Sequence, residues 1–589
     1  MPESPFVWFD DASSGRERLL QFADQSDVIT ASEPADLAPA FARIEAALAA
    51  GRHVAGWMAY ELGYALEPRL VPLQWRDRRV PLLWFGVFDA PQILGREEFA
   101  PRGRAYAGPL HHDWDEPAYG SRFRRVHDYI AAGDIYQANL SFRSRFAFVG
   151  DPLALYLQLR ERAAAAHGAY VDDGTRQILS LSPELFFAIG ADRKITARPM
   201  KGTAPRGGDE LSDARVKAAL AASPKDRAEN LMIVDLLRND VGRLALIGSV
   251  AVPELFAVES YPTLHTMVST VTAQLKPATR AEAIIRALFP CGSVTGAPKI
   301  RAMEVIRELE ETPRGVYCGA IGYFAPDGSA SFNVAIRTIT LQGGSGELGI
   351  GGAIVQDSNA AAEYAECLLK ARYFESARRP LELIETLRFE GGFVRLERHL
   401  DRMQHSAACF GLPFNRSAAR QALDHAVAGA SGARRVRLTL DEAGAFACLT
   451  APLARAPQGW TFALSPHRVH SRDPLLQHKT SWREFFDHEL TRLEKLTRCD
   501  EVLFQNERGE LTEGSRSTIF IRRGDGLVTP PLAGGLLGGV LRGELLAAGR
   551  CVETSLTPDD LFGEVFLGNS LRGLIPATLV QQEALSRGA

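Results

Sequence analysis

The spacing of apolar positions along the chain predicts short strands mixed with one alanine-rich helix near 36–50 in residues 1–120, and then, from about 120 to 375, alternating strands and helices. Two helices in that tract carry acids. In "ASPKDRAENLMIVDLLRNDVGR", Ser223 is a good N-cap, Pro224 suits the first helical position and Asp226 completes a capping-box-like pattern, which predicts a helix to about Asp240. Asp226 and Glu229 lie three apart and so share a face. In "VQDSNAAAEYAECLLKARYF", Asp357 or Ser358 caps a helix on which Glu363, Glu366 and Lys370 recur at i, i+3 and i+7, again one face. Between them, "FPCGSVTGAPKIRAMEVIRELE" sets small residues before Pro298 and a clear helix. Further on, Arg378-Arg379-Pro380 closes a long helix, and Leu381 opens a strand, a Gly-Gly hairpin turn and a second strand. The expected divisions are 1–120, 121–378 and 379–589, with the main boundary near 380.

A shorter stretch, "ITARPMKGTAPRG", holds one lysine among restricted residues. Pro199 fixes its own φ and pushes Arg198 toward extended backbone, while Gly202 and Pro205 rule out a helix. Lys201 is therefore expected on a stiff turn after a strand. From these residues alone, a solvated loop lysine and a held functional amine both remain open.

Composition narrows the class. With 589 residues, 46% apolar and 23% charged, the chain reads as a soluble protein of two or more domains. A net charge of -4 gives no reason to expect nucleic acid binding, and no apolar run reaches membrane-span length. The start "MPESPFVWFDD" lacks a secretory pattern, and seven scattered cysteines read as reduced thiols, so a cytoplasmic location is expected. Four carboxylates converging on one site suit Mg²⁺, which favours oxygen ligands and keeps some of its water. The helix start after Pro298 and the loop at Gly351-Gly352 are anion-type sites, and Arg337 offers a bidentate carboxylate contact. Together these features fit a small dianionic substrate.

"GDIYQANLSFR", "SPELFF", "RPMKGTAPRG", "KDRAENLMIVDLLRND", "YPTLHTMVSTV", "GSVTGAPKIRAMEVI", "GAIGYF", "NVAIRT" and "GGAIVQDSNAAAEYAECLLKA" occur in the order typical of the chorismate-utilising enzymes. The resemblance covers about 120–376, and residues 1–120 resemble that family's variable N-terminal part. It implies an α+β fold, with helices around a large antiparallel β-sandwich. It also implies roles. Glu229 and Glu366 match Mg²⁺ carboxylates, and Asp226 and Glu363 match acids beside them, one of which helps expel the C4 hydroxyl. His265 matches the histidine of a Y-P-x-x-H motif. Gln137, Ser293, Tyr323, Arg337, Gly351, Gly352 and Lys370 match substrate-holding positions. Gln137 stands where water-adding relatives carry a lysine base, which disfavours isochorismate and salicylate chemistry. Lys201 replaces the alanine of anthranilate synthases and matches the lysine that attacks C2 of chorismate in aminodeoxychorismate synthases.

"LIETLRFEGGFVRLERHLDRMQHSAACFGLPF" resembles the opening of fold-type IV pyridoxal phosphate enzymes, an α/β domain pair that includes aminodeoxychorismate lyase. By that resemblance Lys479 carries the cofactor and shuttles protons, Glu513 pairs with its pyridine nitrogen, and Arg402 binds its phosphate. The backbone amides of Val540 and Leu541 also hold the phosphate, with Ser517 and Thr518 near it. The match begins at "ELIETLRFEGG", so part of the family's sheet is expected to be absent or supplied by residues before 380. The joint implication is a fusion of component I of aminodeoxychorismate synthase with aminodeoxychorismate lyase. It would convert chorismate and ammonia to 4-aminobenzoate and pyruvate using Mg²⁺ and pyridoxal phosphate. No G-x-C-x-G segment is visible, so a separate glutamine amidotransferase subunit is expected to supply ammonia, with a homodimer formed through the C-terminal part. The rival readings are a C-terminal half that only binds cofactor or dimerises, and a class IV aminotransferase.

Overall fold

In the computed structural model, residues 3–12, 19–95, 98–163, 165–260 and 264–580 are described. The chain divides into two units: 1–100, 110–146 and 156–377 form the first, and 101–109, 147–155 and 378–589 the second.

Alternating apolar residues build two antiparallel sheets in the first unit. One runs in the order Gly296–Ala297, Gln137–Gly150, Ser345–Ile354, Thr338–Gln342, Gln177–Ser182, His167–Asp172, Phe6–Asp10, Leu19–Phe22 and Gln92–Leu94, the end of its second strand passing into the other unit. The other runs Met200–Pro205, Leu264–Gln274, Lys194–Arg198, Leu185–Ile189, Ala330–Val334, Ala320–Phe324, His53–Met58, Leu83–Phe88 and Asp27–Ala31. Their inner faces meet where Val7, Phe22 and Ile178 of one pack with Trp57, Trp84 and Ile321 of the other. Helices cover the second sheet's far side. In Ala281–Leu288 the buried positions Ala281, Ile284, Ile285 and Leu288 follow i, i+3, i+4 and i+7. Each of the three larger aliphatics contributes roughly 1.5–3 kcal/mol on burial.

The first acid helix spans Pro224–Gly242, capped by Ser223, whose Oγ accepts the Asp226 N–H at 3.3 Å. Its apolar face, Ile233, Val234 and Leu237, packs on Ala197 and Val271 of the sheet. The second spans Ala360–Ala377. Its cap is Asn359, not Asp357 or Ser358: Asn359 Oδ1 accepts the Ala362 N–H, while Ser358 Oγ donates to Glu363.

Two local expectations are corrected. Lys201 lies inside the strand Met200–Pro205 rather than on a turn, because a bulge accommodates Gly202. After Leu383–Phe389 and the turn at Gly391-Gly392 no second strand forms. A single bridge joins Phe389 to Phe393, and the helix Leu396–Phe410 follows too soon to leave room for a strand.

The second unit holds a three-stranded antiparallel sheet, Leu383–Phe389, Arg434–Leu440 and Phe446–Pro452. It also holds an eight-stranded mixed sheet with Trp460–Val469 parallel to both Glu501–Asn506 and Gly573–Leu579. Residues from before 380 do enter this unit's core. Tyr106 and Val149 pack with Leu381, Leu387, Leu400 and Phe410, although they add no strand to the three-stranded sheet. Among the described residues, no helix is long and apolar enough to cross a membrane.

Candidate functional site

The strand bearing Lys201 pairs Met200 with Val268 and Thr203 with Thr266, and the register shifts between them. A bulge bends its strand and re-aims the side chain at the irregularity. Gly202 supplies the required φ of +82°, and a Cβ there would meet Asp226 Oδ1 at 2.7 Å. Lys201 thereby enters a cavity of about 260 Å³ with Asp226, Glu229, Ser293, Arg337, Gly351, Glu363, Glu366 and Lys370, all singled out by sequence.

The two lysines in this cavity are driven in opposite directions. Burial pulls Lys201 below the usual amine range, aided by the charge of Lys370 and opposed by Glu229. Burial also acts on Lys370, but the Glu366 carboxylate outweighs it and holds this lysine above its ordinary value. The Lys370 ammonium lies 2.9 Å from Glu366 and also donates to the Gly351 carbonyl at 2.9 Å. Glu366 is held below the usual carboxylate range because Lys370 overcomes the burial that would raise it. Burial raises Glu229, with Lys201 opposing, and raises Glu363, with the Ser358 hydroxyl opposing.

Among the described residues, no three side chains of ligating type stand close enough to hold one metal ion. The acids still fit Mg²⁺, which takes one or two carboxylates and completes its shell with water and substrate oxygens. Glu229 in particular is a desolvated carboxylate whose charge a cation would stabilise.

Four sequence expectations stand outside the lining. His265 is fully buried, with Nε2 2.9 Å from Asp213 and Nδ1 2.8 Å from Ser260 Oγ. Strand alternation sends it to the opposite side from its neighbour Thr266, which does line the cavity. The Tyr261 and Pro262 of its motif lie outside the described residues. Tyr323 faces the interior between the sheets, where its ring meets Phe9 and Phe22, and lines a different cavity. Gln137 is fully buried outside the lining, and neither amide atom has a partner among the described residues. Gly352 is not in the lining itself, but a Cβ there would sit 3.5 Å from both Glu363 Oε2 and Lys370 Nζ.

Glu184, Tyr317 and Lys225 line the cavity and were not assigned from sequence. Glu184 is 4% exposed and accepts the Ser293 hydroxyl at 2.7 Å. Burial pushes its carboxyl up to about 7, with Ser293, Lys201 and the Met200 backbone opposing. Its signal was in plain view, as the acid between Pro183 and Leu185 in "SPELFF".

The second unit has its own cavity, about 430 Å³, lined by Lys479, Glu513, Arg402, Ser517, Thr518, Val540 and Leu541 among others. Lys479 is pushed down to about 8, first by burial and then by the charge of Arg402. Glu513 is pushed up to about 8 by burial, which the Leu537 N–H, donating at 3.1 Å, opposes. Val540 and Leu541 open the helix Val540–Ala547, where backbone N–H groups lack intrahelical acceptors. Arg402 is largely committed to Glu385, which accepts two of its donors at 2.7 and 2.8 Å, while its third donates to the Gly538 carbonyl at 3.1 Å. Ser517 donates to Glu501 at 2.7 Å. These residues fit pyridoxal phosphate: an amine for the aldehyde, amides for the phosphate, and a carboxyl that needs a cationic partner to ionise.

The residues from 382 to 580 match the family model described as amino-transferase class IV. An aminodeoxychorismate synthase component 1 from Escherichia coli is 48% identical over 248 residues, 42% of this chain and 54% of that protein. One from Bacillus subtilis is 37% identical over 297 residues, 50% of this chain and 62% of that protein. The chain thus spans about half the length of the curated relatives it matches. The crystal structure of anthranilate synthase component I from Streptococcus pneumoniae covers 63% of this chain and 92% of its own at 23% identity, with a TM-score of 0.52, a likeness of fold. The model described as chorismate binding enzyme matches residues 3–376, well over half of the chain, and the chain belongs to that family.

Proposed function

We propose that the chain aminates chorismate at C4 and then eliminates pyruvate from the product to give 4-aminobenzoate. The observation that carries this reading is Lys201. It is an amine lowered by burial and aimed by a bulge into a cavity with carboxylates and a second, charged lysine.

In the first step the neutral Lys201 Nζ forms a bond to C2 while both ring double bonds shift and the C4–O bond breaks. Glu184, with a carboxyl near 7, gives the departing hydroxide its proton. Asp226 and Glu363 flank the site, and Lys370, Arg337 and the Gly351 backbone hold the substrate carboxylates. Ammonia then bonds to C4, the C2–N bond breaks and Lys201 leaves as an amine. The net change is chorismate plus ammonia to aminodeoxychorismate plus water. Glu229 and Glu366 would hold Mg²⁺, which would supply positive charge to a bound carboxylate substrate.

In the second unit pyridoxal phosphate, when bound, supplies an electron sink. Glu513 holds the proton at its ring nitrogen, and Val540, Leu541 and Thr518 orient its phosphate. Lys479, near 8, takes up the ring proton from C4 at Nζ while the C3–O bond breaks, so one molecule divides into 4-aminobenzoate and pyruvate. The component 1 relatives support a separate glutamine amidotransferase as ammonia source. A homodimer through the second unit and a cytoplasmic location complete the reading.

Product analysis with chorismate, ammonium and Mg²⁺, with and without pyridoxal phosphate, tests it. The expected result is aminodeoxychorismate without the cofactor and 4-aminobenzoate with it. Release of anthranilate or isochorismate would overturn the first half. A requirement for a keto acid would make the second half an aminotransferase.

A further inference from the structure

The cavity of the second unit is strongly basic. Arg402, Arg435, Arg437, Arg455, Arg483 and Arg572 line it, against Glu513 as the acid in the lining. Three of these arginines are occupied. Arg402 pairs with Glu385, Arg483 donates to Asp487 and the Ser515 carbonyl, and Arg572 donates to the carbonyls of Ala454 and Arg455.

Among the other three, Arg435 and Arg437 share one strand, Arg434–Leu440. Both are exposed, and among the described residues neither side chain makes a hydrogen bond or an ion pair. They alternate with Val436 and Leu438, which are fully buried in the core. Strand geometry therefore places the two arginines on one face, about 7 Å apart along the backbone. The partner strand continues that face: Arg437 stands opposite Thr386, and Ile384 and Thr386 line the same cavity. Both arginines line the cavity that Lys479 enters, and the charge of Arg437 reaches the Lys479 amine.

An arginine fork without an acid, turned into a cavity, is suited to a ligand carboxylate. Two such forks at this spacing suit two carboxylates on one molecule. We propose that Arg435 and Arg437 form the specificity clamp for a ring-borne dicarboxylate in this cavity, holding its two carboxylates while its amine reaches Lys479. This rests on the proposed second step. It also gives that step a direction: the substrate carries both carboxylates, but each product carries one, so neither product retains the two-point hold. An α-amino acid, with its single carboxylate next to the amine, spans only one of the two forks.

The test uses the full chain loaded with pyridoxal phosphate, in the Arg435→Ala, Arg437→Ala and Arg437→Lys variants. Benzene-1,3-dicarboxylate and benzoate serve as probes, with binding read as inhibition and as perturbation of the bound cofactor's absorbance. The parent is expected to bind the dicarboxylate at least tenfold more tightly than benzoate. Each alanine variant should lose most of that preference and raise KM for aminodeoxychorismate about 10- to 100-fold, with a smaller change in kcat. The lysine variant should fall between them, keeping charge but not the fork. An unchanged dicarboxylate-to-benzoate ratio in both alanine variants would overturn the proposal. So would loss of cofactor absorbance in Arg437→Ala, which would make Arg437 a cofactor ligand. If the parent makes no 4-aminobenzoate, the reading of the second step fails, while the probe ratios still decide the clamp.

Discussion

Replacing Glu184 by Gln tests the proton donor of the first site and has a calculable effect on stability. The carboxyl is 4% exposed, and burial moves it from an ordinary value of 4.5 to about 7. The folded protein thus binds this proton more tightly than the unfolded chain does. The contribution to stability is fully present below about 4.5, fades as pH rises, and is gone above about 7. At about 1.4 kcal/mol per unit of pKa, the native state gives up about 3 kcal/mol over that window. Glutamine cannot ionise and keeps an acceptor for the Ser293 hydroxyl. The Glu184→Gln protein should match the parent near pH 4.5 and exceed it by about 3 kcal/mol at pH 8 and above. Calorimetry across that range, following the transition of the first unit, measures the difference. Chorismate amination should meanwhile fall by about 10²- to 10⁴-fold, the usual worth of a positioned acid. The parent's rate should decline as pH rises through about 7, and the variant's residual rate should not. A stability difference independent of pH would refute the assigned environment, and full turnover in the variant would refute the role.

Lys201→Ala should lower amination by about 10⁴-fold or more in a protein that still folds, as measured by product formation from chorismate and ammonium. Gly202→Ala should also impair the first site, because its +82° backbone and the contact with Asp226 leave no room for a Cβ; both KM and kcat for chorismate should worsen. Glu229→Gln and Glu366→Gln should each weaken Mg²⁺ binding, seen as a shifted Mg²⁺ titration of activity. The Glu366 change should in addition free burial to pull Lys370 downward. Lys479→Ala should accumulate aminodeoxychorismate while amination continues, and the absorbance of bound pyridoxal phosphate should change.

Much of the first site was legible along the chain. Paired acids at i and i+3, a serine cap before Pro224 and glycine-rich loops are local patterns, and local patterns read directly onto helix faces and turns. The end of the helix Ala360–Ala377 was equally plain, since Pro380 stops a helix by short-range sterics. The ordered motifs pointed to the family because each encodes a backbone or charge requirement at one place.

What sequence could not supply were properties created by distant segments coming together. The bulge that aims Lys201 exists only because Met200–Pro205 pairs with Leu264–Gln274, some sixty residues away. His265 and Thr266 are chemically plausible neighbours of the substrate, yet strand alternation sends only Thr266 to the cavity. Tyr323 carries a suitable hydroxyl, but sheet packing turns it toward the interior. Glu184 has its raised carboxyl because other elements bury it. Likewise, Tyr106 and Val149 join the core of the second unit from positions more than two hundred residues before most of that core. Composition and periodicity determined where the acid-bearing helices fall and which chemistries the chain carries. Burial, electrostatic coupling and the facing of side chains are sums over neighbours in space, and only the tertiary structure decided those.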